Sequence, residues 1–325
     1  MKTKFPFKRS AMESFIFPIV TLFLLVVGVP FLIKYTSFYT TQYVFLATIG
    51  FFVVFIRIIS LLNLHIKWID ILLTIPIVII TTVLLIILGI LSLIIILIYP
   101  KSIYRVSYTL SLIILFVLGV NLKFEGDAPP KGSQFILVGN HTSFIDELLI
   151  VVAMEGLPWT IVFAKEIKRI PFFGKMLKGH GIPVDRDDPC SKKTAGKQII
   201  KAMSSGKSFA IFPEGKRMRP DDFKKGIFLY PFENGAFHLA SKNNFFVYPV
   251  VFSYPFFYKP RSGRWWFSPQ TVTIVRLPPI NTVAKDCENK DERDERIAKF
   301  GEEVWSSMNS CIGERTNGRN FEIRF

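Results

Sequence analysis

His141 and Asp146 are the residues of this chain whose types and spacing best suit proton transfer. A free imidazole titrates near pH ~6.5, so histidine is the natural general base at neutral pH. A carboxylate five residues on, one helical turn into the next element, can turn back onto the ring. There it fixes the tautomer and stabilises the imidazolium formed as a proton arrives. Such a base serves a hydroxyl brought by a second substrate, so the protein needs no nucleophile of its own. The chain has no Gly-x-Ser-x-Gly elbow, which accords with that chemistry. On spacing alone a structural histidine is the default, and the weight of the pair comes from its company.

That company is the stretch SFAIFPEGKRMRP, which sets Glu214 and Gly215 just after a hydrophobic run. Pro213 and Gly215 suit a tight turn, and glycine lets backbone approach a ligand closely. Lys216, Arg217 and Arg219 give the turn positive charge. Arginine grips phosphate bidentately and lysine acts as a point charge. The bland alternative is a solvated basic loop.

Both motifs need elements to hold them. Short β-branched or aromatic runs fall at 134–139, 159–164, 182–185, 208–212, 246–252 and 272–277. Helical periodicity fills 144–154, 191–204, 231–242 and 289–309, with Ser143 a candidate N-cap. Alternation of this kind predicts an α/β fold, a mostly parallel sheet covered by helices. In such sheets ligand-binding residues gather on loops at the carboxyl ends of strands. His141 and Glu214 each follow a predicted strand directly.

The rest of the chain is hydrocarbon. Half of its 325 residues are hydrophobic and its mean hydropathy is +0.37, which points to a membrane component. Four apolar stretches, roughly 15–33, 43–62, 69–98 and 103–120, predict an all-α membrane region of about four helices over 1–120. The last two are separated by only a few residues and could form a hairpin that does not cross fully. A mixed domain follows over 121–325, with the boundary near Gly126–Gly132. The basic start MKTKFPFKRS predicts a cytoplasmic N-terminus, and an even number of crossings returns residue 121 to that side. A net charge of +15 implies an anionic partner, and beside so much hydrocarbon that partner reads as anionic lipid rather than nucleic acid. Cys190, Cys287 and Cys311 form no CxxC pair, so neither a disulfide framework nor a zinc site is expected.

Taken together, these residues resemble the glycerolipid acyltransferases of the lysophosphatidate acyltransferase type, formally 1-acylglycerol-3-phosphate O-acyltransferases. The family's first block, Asn-His-x4-Asp, is matched by Asn140, His141 and Asp146. Its second is matched by AKEI at 164–167, Pro171, Gly174 and GIPVDR at 181–186. Its third, Phe-Pro-Glu-Gly-x-Arg, is matched by Phe212 to Arg217, and FKKGIF at 223–228 resembles the segment usual after it. Its fourth, a Val-Pro-Val-like strand, corresponds to Tyr248-Pro249-Val250-Val251. The resemblance spans roughly residues 121–285 and implies a glycerol-3-phosphate acyltransferase-like fold.

It implies that His141 is the catalytic base and Asp146 its orienting partner. It implies Lys165 and Arg186 as phosphate ligands of the acceptor, and Glu214 and Gly215 as acceptor-binding groups with Arg217 beside them. The expected reaction moves a fatty acyl group from acyl-CoA or acyl-carrier protein to a lysophospholipid hydroxyl. Lysophosphatidate is the expected acceptor, with glycerol 3-phosphate or another lysophospholipid as the alternative. No metal or bound cofactor is expected. A bacterial inner membrane is the expected location, with an endomembrane as the alternative. From another class, a non-catalytic membrane adaptor would use the basic face but has no need of both His141 and Asp146. One departure stands out: where the family's third block commonly continues Thr-Arg-Ser, this chain has Lys216-Arg217-Met218.

Overall fold

Phe135–Gly139 is buried at every position, the pattern of a central strand covered on both faces. Ile136, Leu137 and Val138 are wholly inaccessible, and each such burial contributes about 1.5–3 kcal/mol. The computed structural model describes Tyr99 and residues 102–143, 145–169, 180–185, 187–219, 222, 225–253, 270–281 and 289–317. In chain order its elements are α1 (Ile103–Val117), β1 (Val120–Glu125), β2 (Phe135–Gly139), α2 (Asp146–Ala153), β3 (Trp159–Ala164), a 3-10 turn (Lys165–Arg169), β4 (Gly181–Val184) and α3 (Pro189–Ser204). They continue with β5 (Ser208–Ile211), α4 (Gly235–Asn243), β6 (Phe246–Ser253), β7 (Gln270–Arg276) and α5 (Lys290–Asn317).

The strands form one seven-stranded sheet in the order β1-β7-β6-β2-β5-β3-β4. All neighbours are parallel except β6 and β7, which are antiparallel. The expected α/β fold with a mostly parallel sheet is therefore present. One face packs on α1 and α2 through Leu115, Leu118, Leu137 and Leu149. The other packs on α3, α4 and α5 through Ile199, Phe209, Phe237 and Val304.

Two features depart from the sequence reading. The strand β1 was not expected, although VNLKFE alternates apolar and polar residues, because it follows directly on the apolar stretch read as a membrane helix. It pairs along its whole length with β7 and forms one edge of the sheet, where charged residues are tolerated. The helix expected from 231 begins at Gly235 instead. The N–H of Glu233 is committed to the Pro213 carbonyl at 2.9 Å, which holds that segment out of the helix.

The first three apolar stretches, at 15–33, 43–62 and 69–98, lie outside the described residues. The fourth supplies α1, whose fifteen residues rise roughly 22 Å, short of a ~30 Å hydrocarbon core. Among the described residues no helix is long and apolar enough to cross a membrane. The inner face of α1, with Ile114 and Leu115, is part of the α/β core, so that core draws on residues on both sides of position 120.

Candidate active site

The strands β2 and β5 lie side by side and parallel, with Val138 opposite Ile211. Extending that register three residues beyond both carboxyl ends sets His141 opposite Glu214. The loops keep the correspondence: Glu214 Oε1 accepts the backbone N–H of His141 at 2.6 Å. Its other oxygen accepts the backbone N–H of Tyr230 at 3.0 Å. The His141 carbonyl in turn accepts the N–H of Met218 at 2.7 Å. Both loops are thereby pinned to each other, with Gly215 making the turn at φ +67°, a conformation that favours glycine.

On the opposite side of β2, Asn140 takes the place of a peptide unit. Its Oδ1 accepts the N–H of Phe252 at 2.7 Å, and its Nδ2 donates to the Phe252 carbonyl at 3.2 Å. The backbone entering His141 is thus held by β5 and β6 together. Gly139 sits in a tight space, since a Cβ there would lie 3.0 Å from Phe252 Cε2 and 3.3 Å from Phe212 Cε1. The Phe212 ring stacks on the His141 imidazole at 4.2 Å between centroids and 12° between planes.

Asp146 is fully buried and accepts three donors through Oδ2. They are His141 Nδ1 at 3.0 Å, Thr142 N at 2.6 Å and Ser143 N at 2.7 Å. An ionised carboxylate only accepts, so the imidazole carries its proton on Nδ1 and leaves the Nε2 lone pair available. The cap expected of Ser143 is not made: no side chain caps α2, Asp146 accepts the Thr142 and Ser143 amides ahead of the helix, and the Ser143 hydroxyl accepts the Ile145 N–H at 3.4 Å. The His141 side chain is 12% exposed and its Nε2 lies 4.0 Å from Glu147 Oε1. Glu147 was missed by the sequence reading, although its place beside Asp146 in the first helical turn was the available signal.

The other singled-out residues divide. Glu214 is 5% exposed, and burial pushes its carboxyl up to about 8 against the opposing pull of the Tyr230 and His141 amides. Both of its oxygens are engaged by backbone, which makes it a brace for His141 in this structure. Lys165 follows β3 and pairs with the Asp185 carboxylate after β4, holding that carboxyl below its ordinary range. With β5 lying between β2 and β3, Lys165 is roughly 10 Å across the sheet from the His141 strand. Arg217 is exposed on the Glu214 loop. Arg186, Pro171 and Gly174 lie outside the described residues.

The unusual Lys216 and Met218 have structural partners. Met218 is buried at 4% exposure, and Lys216 Nζ lies 4.5 Å over the Tyr230 ring. Both substitutions are therefore accommodated by packing within the loop. Among the described residues there is no cluster of His, Cys, Asp and Glu suited to a metal ion.

His141, Phe212 and Gly215 open onto a groove of about 1150 Å³ on the α3, α4 and α5 face of the sheet. The site thus presents a histidine oriented by a buried carboxylate and braced by a second, with Glu147 near its Nε2, beside a space large enough for a lipid-sized ligand.

Comparison with known proteins matches residues 121–253 to the family model described as Acyltransferase. A 1-acyl-sn-glycerol-3-phosphate acyltransferase of Borreliella burgdorferi is 32% identical over 148 residues, covering 43% of this chain and 59% of the relative. One from Saccharomyces cerevisiae is 26% identical over 204 residues, covering 61% of this chain and 62% of the relative. The chain thus spans about three fifths of the length of these curated relatives. The crystal structure of the 1-acyl-sn-glycerophosphate (LPA) acyltransferase PlsC from Thermotoga maritima superposes with a TM-score of 0.51 at 20% identity. That match covers 72% of this chain and 97% of the other and concerns the fold.

Proposed function

Because residues 121–253 belong to the Acyltransferase family, we propose that this chain transfers a fatty acyl group from a thioester donor to the free hydroxyl of a lysophospholipid. Lysophosphatidate is the acceptor we favour. The observation that carries the proposal is the His141–Asp146 pair, with Nδ1 held at 3.0 Å and the histidine lining the groove.

In the proposed reaction the acceptor hydroxyl approaches Nε2. As its oxygen attacks the thioester carbonyl carbon, its proton passes to Nε2 and the carbonyl electrons move onto oxygen. Asp146 stabilises the imidazolium so formed. Collapse of the tetrahedral intermediate breaks the carbon–sulfur bond, and the departing sulfur takes the proton from Nε2. The products are a diacyl lipid and a free thiol, and the imidazole regains its starting state. No covalent enzyme intermediate is formed.

For the acceptor we assign Lys165, Arg186 and Arg217 to the phosphate monoester, with Gly215 permitting close approach. A doubly charged headgroup at a membrane calls for convergent cations, and residues 165–225 hold sixteen Lys/Arg against seven acids. For Glu214 the two backbone bonds support a positioning role. We place the membrane region within residues 1–120, ahead of the α/β core, with that core on the cytoplasmic side and a bacterial inner membrane as the site. The basic N-terminus and the four apolar stretches support that placement.

The test is acyl transfer by purified protein from labelled acyl-CoA or acyl-carrier protein to a panel of lysophosphatidate, glycerol 3-phosphate and headgroup-bearing lysophospholipids. Preferential acylation of lysophosphatidate, abolished in His141→Ala, is the expected result. Preference for glycerol 3-phosphate would reassign the acceptor, and anionic-lipid retention without thiol release would favour an adaptor.

A further inference from the structure

The groove beside His141 has two charged walls over an apolar floor. The floor is formed by Ile161, Val162, Phe209 and Ile211 of the sheet. One wall is α3, with Lys192, Lys193 and Lys197, and the other is α4 and α5, with Lys242, Arg293 and Arg296. Glu233 is the single acid lining it among the described residues.

The topology tells which end is which. The helix α4 begins beside Pro213, next to the His141 loop, and ends just before β6 starts at the amino edge of the sheet. Lys242 therefore lies at the end of the groove remote from His141. Arg296 is held there as well, because its Nη1 donates to Ser241 Oγ at 2.6 Å. Between the two ends, Gly196 sits in mid-α3 with no atom within 4 Å of where its Cβ would be. A glycine inside a helix costs stability relative to alanine, and nothing in the packing calls for one here. What it provides is width along the groove.

We infer that this groove binds the carrier portion of the acyl donor as a coenzyme A nucleotide, its phosphates at Lys242, Arg293 and Arg296 and its pantetheine arm passing Gly196 to deliver the thioester to His141. The inference rests on the acyltransferase reading above and names its donor. A concave site with cations converging from three helices suits a compact polyphosphate, whereas the acidic face of a carrier protein would need an open convex patch.

The experiment measures binding of coenzyme A itself to full-length protein in detergent, together with transfer kinetics. Lys242→Ala/Arg293→Ala removes two exposed cations, and Gly196→Leu fills the groove. The expected result is at least a tenfold weaker coenzyme A affinity in both variants. With acyl-pantetheine as donor, KM should be unchanged in the double variant and raised in Gly196→Leu. Unaltered coenzyme A affinity in the double variant, failure of the wild type to bind coenzyme A, or an equal effect on acyl-pantetheine would each overturn the inference. So would selective loss of acyl-carrier protein as donor. Coenzyme A binding that depends on these residues in a protein without acyl transfer would sink the proposed reaction and leave the groove assignment standing.

Discussion

Glu214 and His141 face one another across the junction of β5 and β2, joined by a 2.6 Å bond from backbone amide to carboxylate although 73 residues apart in sequence. His141 is therefore placed through its backbone by one carboxyl group and through its ring by another, Asp146. The two carboxylates do different work. Asp146 sets the tautomer and Glu214 sets the position.

Glu214 should make stability depend on pH. Its folded-state pKa of about 8 lies above the ordinary 4.5, so the fold favours the protonated form. The associated stability is full below about pH 4.5 and is lost as pH rises through 8. Melting temperatures should accordingly fall between pH 5 and pH 8.5, and Glu214→Gln should flatten that slope. The substitution leaves one backbone amide without its acceptor, at a cost of about 1–3 kcal/mol. A slope as steep in the variant as in the parent protein would exclude Glu214 as its source.

His141→Ala should lower kcat by about 100- to 10,000-fold while the fold is retained, since Glu214 and Asn140 hold the backbone there independently of the ring. Asp146→Asn should cost as much, about 10,000-fold, by presenting an N–H to Nδ1 and reversing the tautomer. Steady-state kinetics with a fixed saturating acceptor would separate these losses from binding, and near-normal turnover in either variant would contradict the assigned roles.

Asp185 competes for Lys165. If Lys165 meets the acceptor phosphate, Asp185→Asn should release the ammonium and lower the acceptor KM about two- to tenfold, consistent with the small worth of an exposed pair. Lys165→Ala should raise that KM, and mainly for phosphorylated acceptors. Equal changes with a neutral acceptor would remove Lys165 from phosphate binding.

Gly139→Ala tests the packing behind the base. The added methyl meets Phe252 and Phe212, and overpacking of this kind costs about 1–3 kcal/mol. Because Phe212 stacks on His141, kcat should fall along with the melting temperature. A drop in stability with unchanged kcat would show that the stacked ring does not orient the imidazole.

Much of the site was legible in the residue order because both motifs leave buried strands directly. An apolar run emptying into Asn140-His141 or Pro213-Glu214 marks a strand's carboxyl end without any coordinates. The spacing of five between His141 and Asp146 likewise left the contact open to one helical turn. Less legible was β1, since its alternation of Val120, Leu122 and Phe124 with polar residues is short and adjoins the apolar stretch read as a membrane helix. The role of Ser143 was also misread, because a local cap pattern cannot show that the helix starts later, with Ile145 at its N-cap position.

Sequence by itself determined the α/β alternation, the apolar character of residues 1–120 and the pairing of His141 with Asp146. These are local properties, set by the period of hydrophobic residues and by side-chain chemistry. Tertiary structure alone decided that β2 pairs with β5, and hence that Glu214 braces the His141 backbone. It alone decided that α3, α4 and α5 bring six cations around one groove. Such relationships depend on strand register and helix packing, in which residues far apart in the chain meet only after the core has closed.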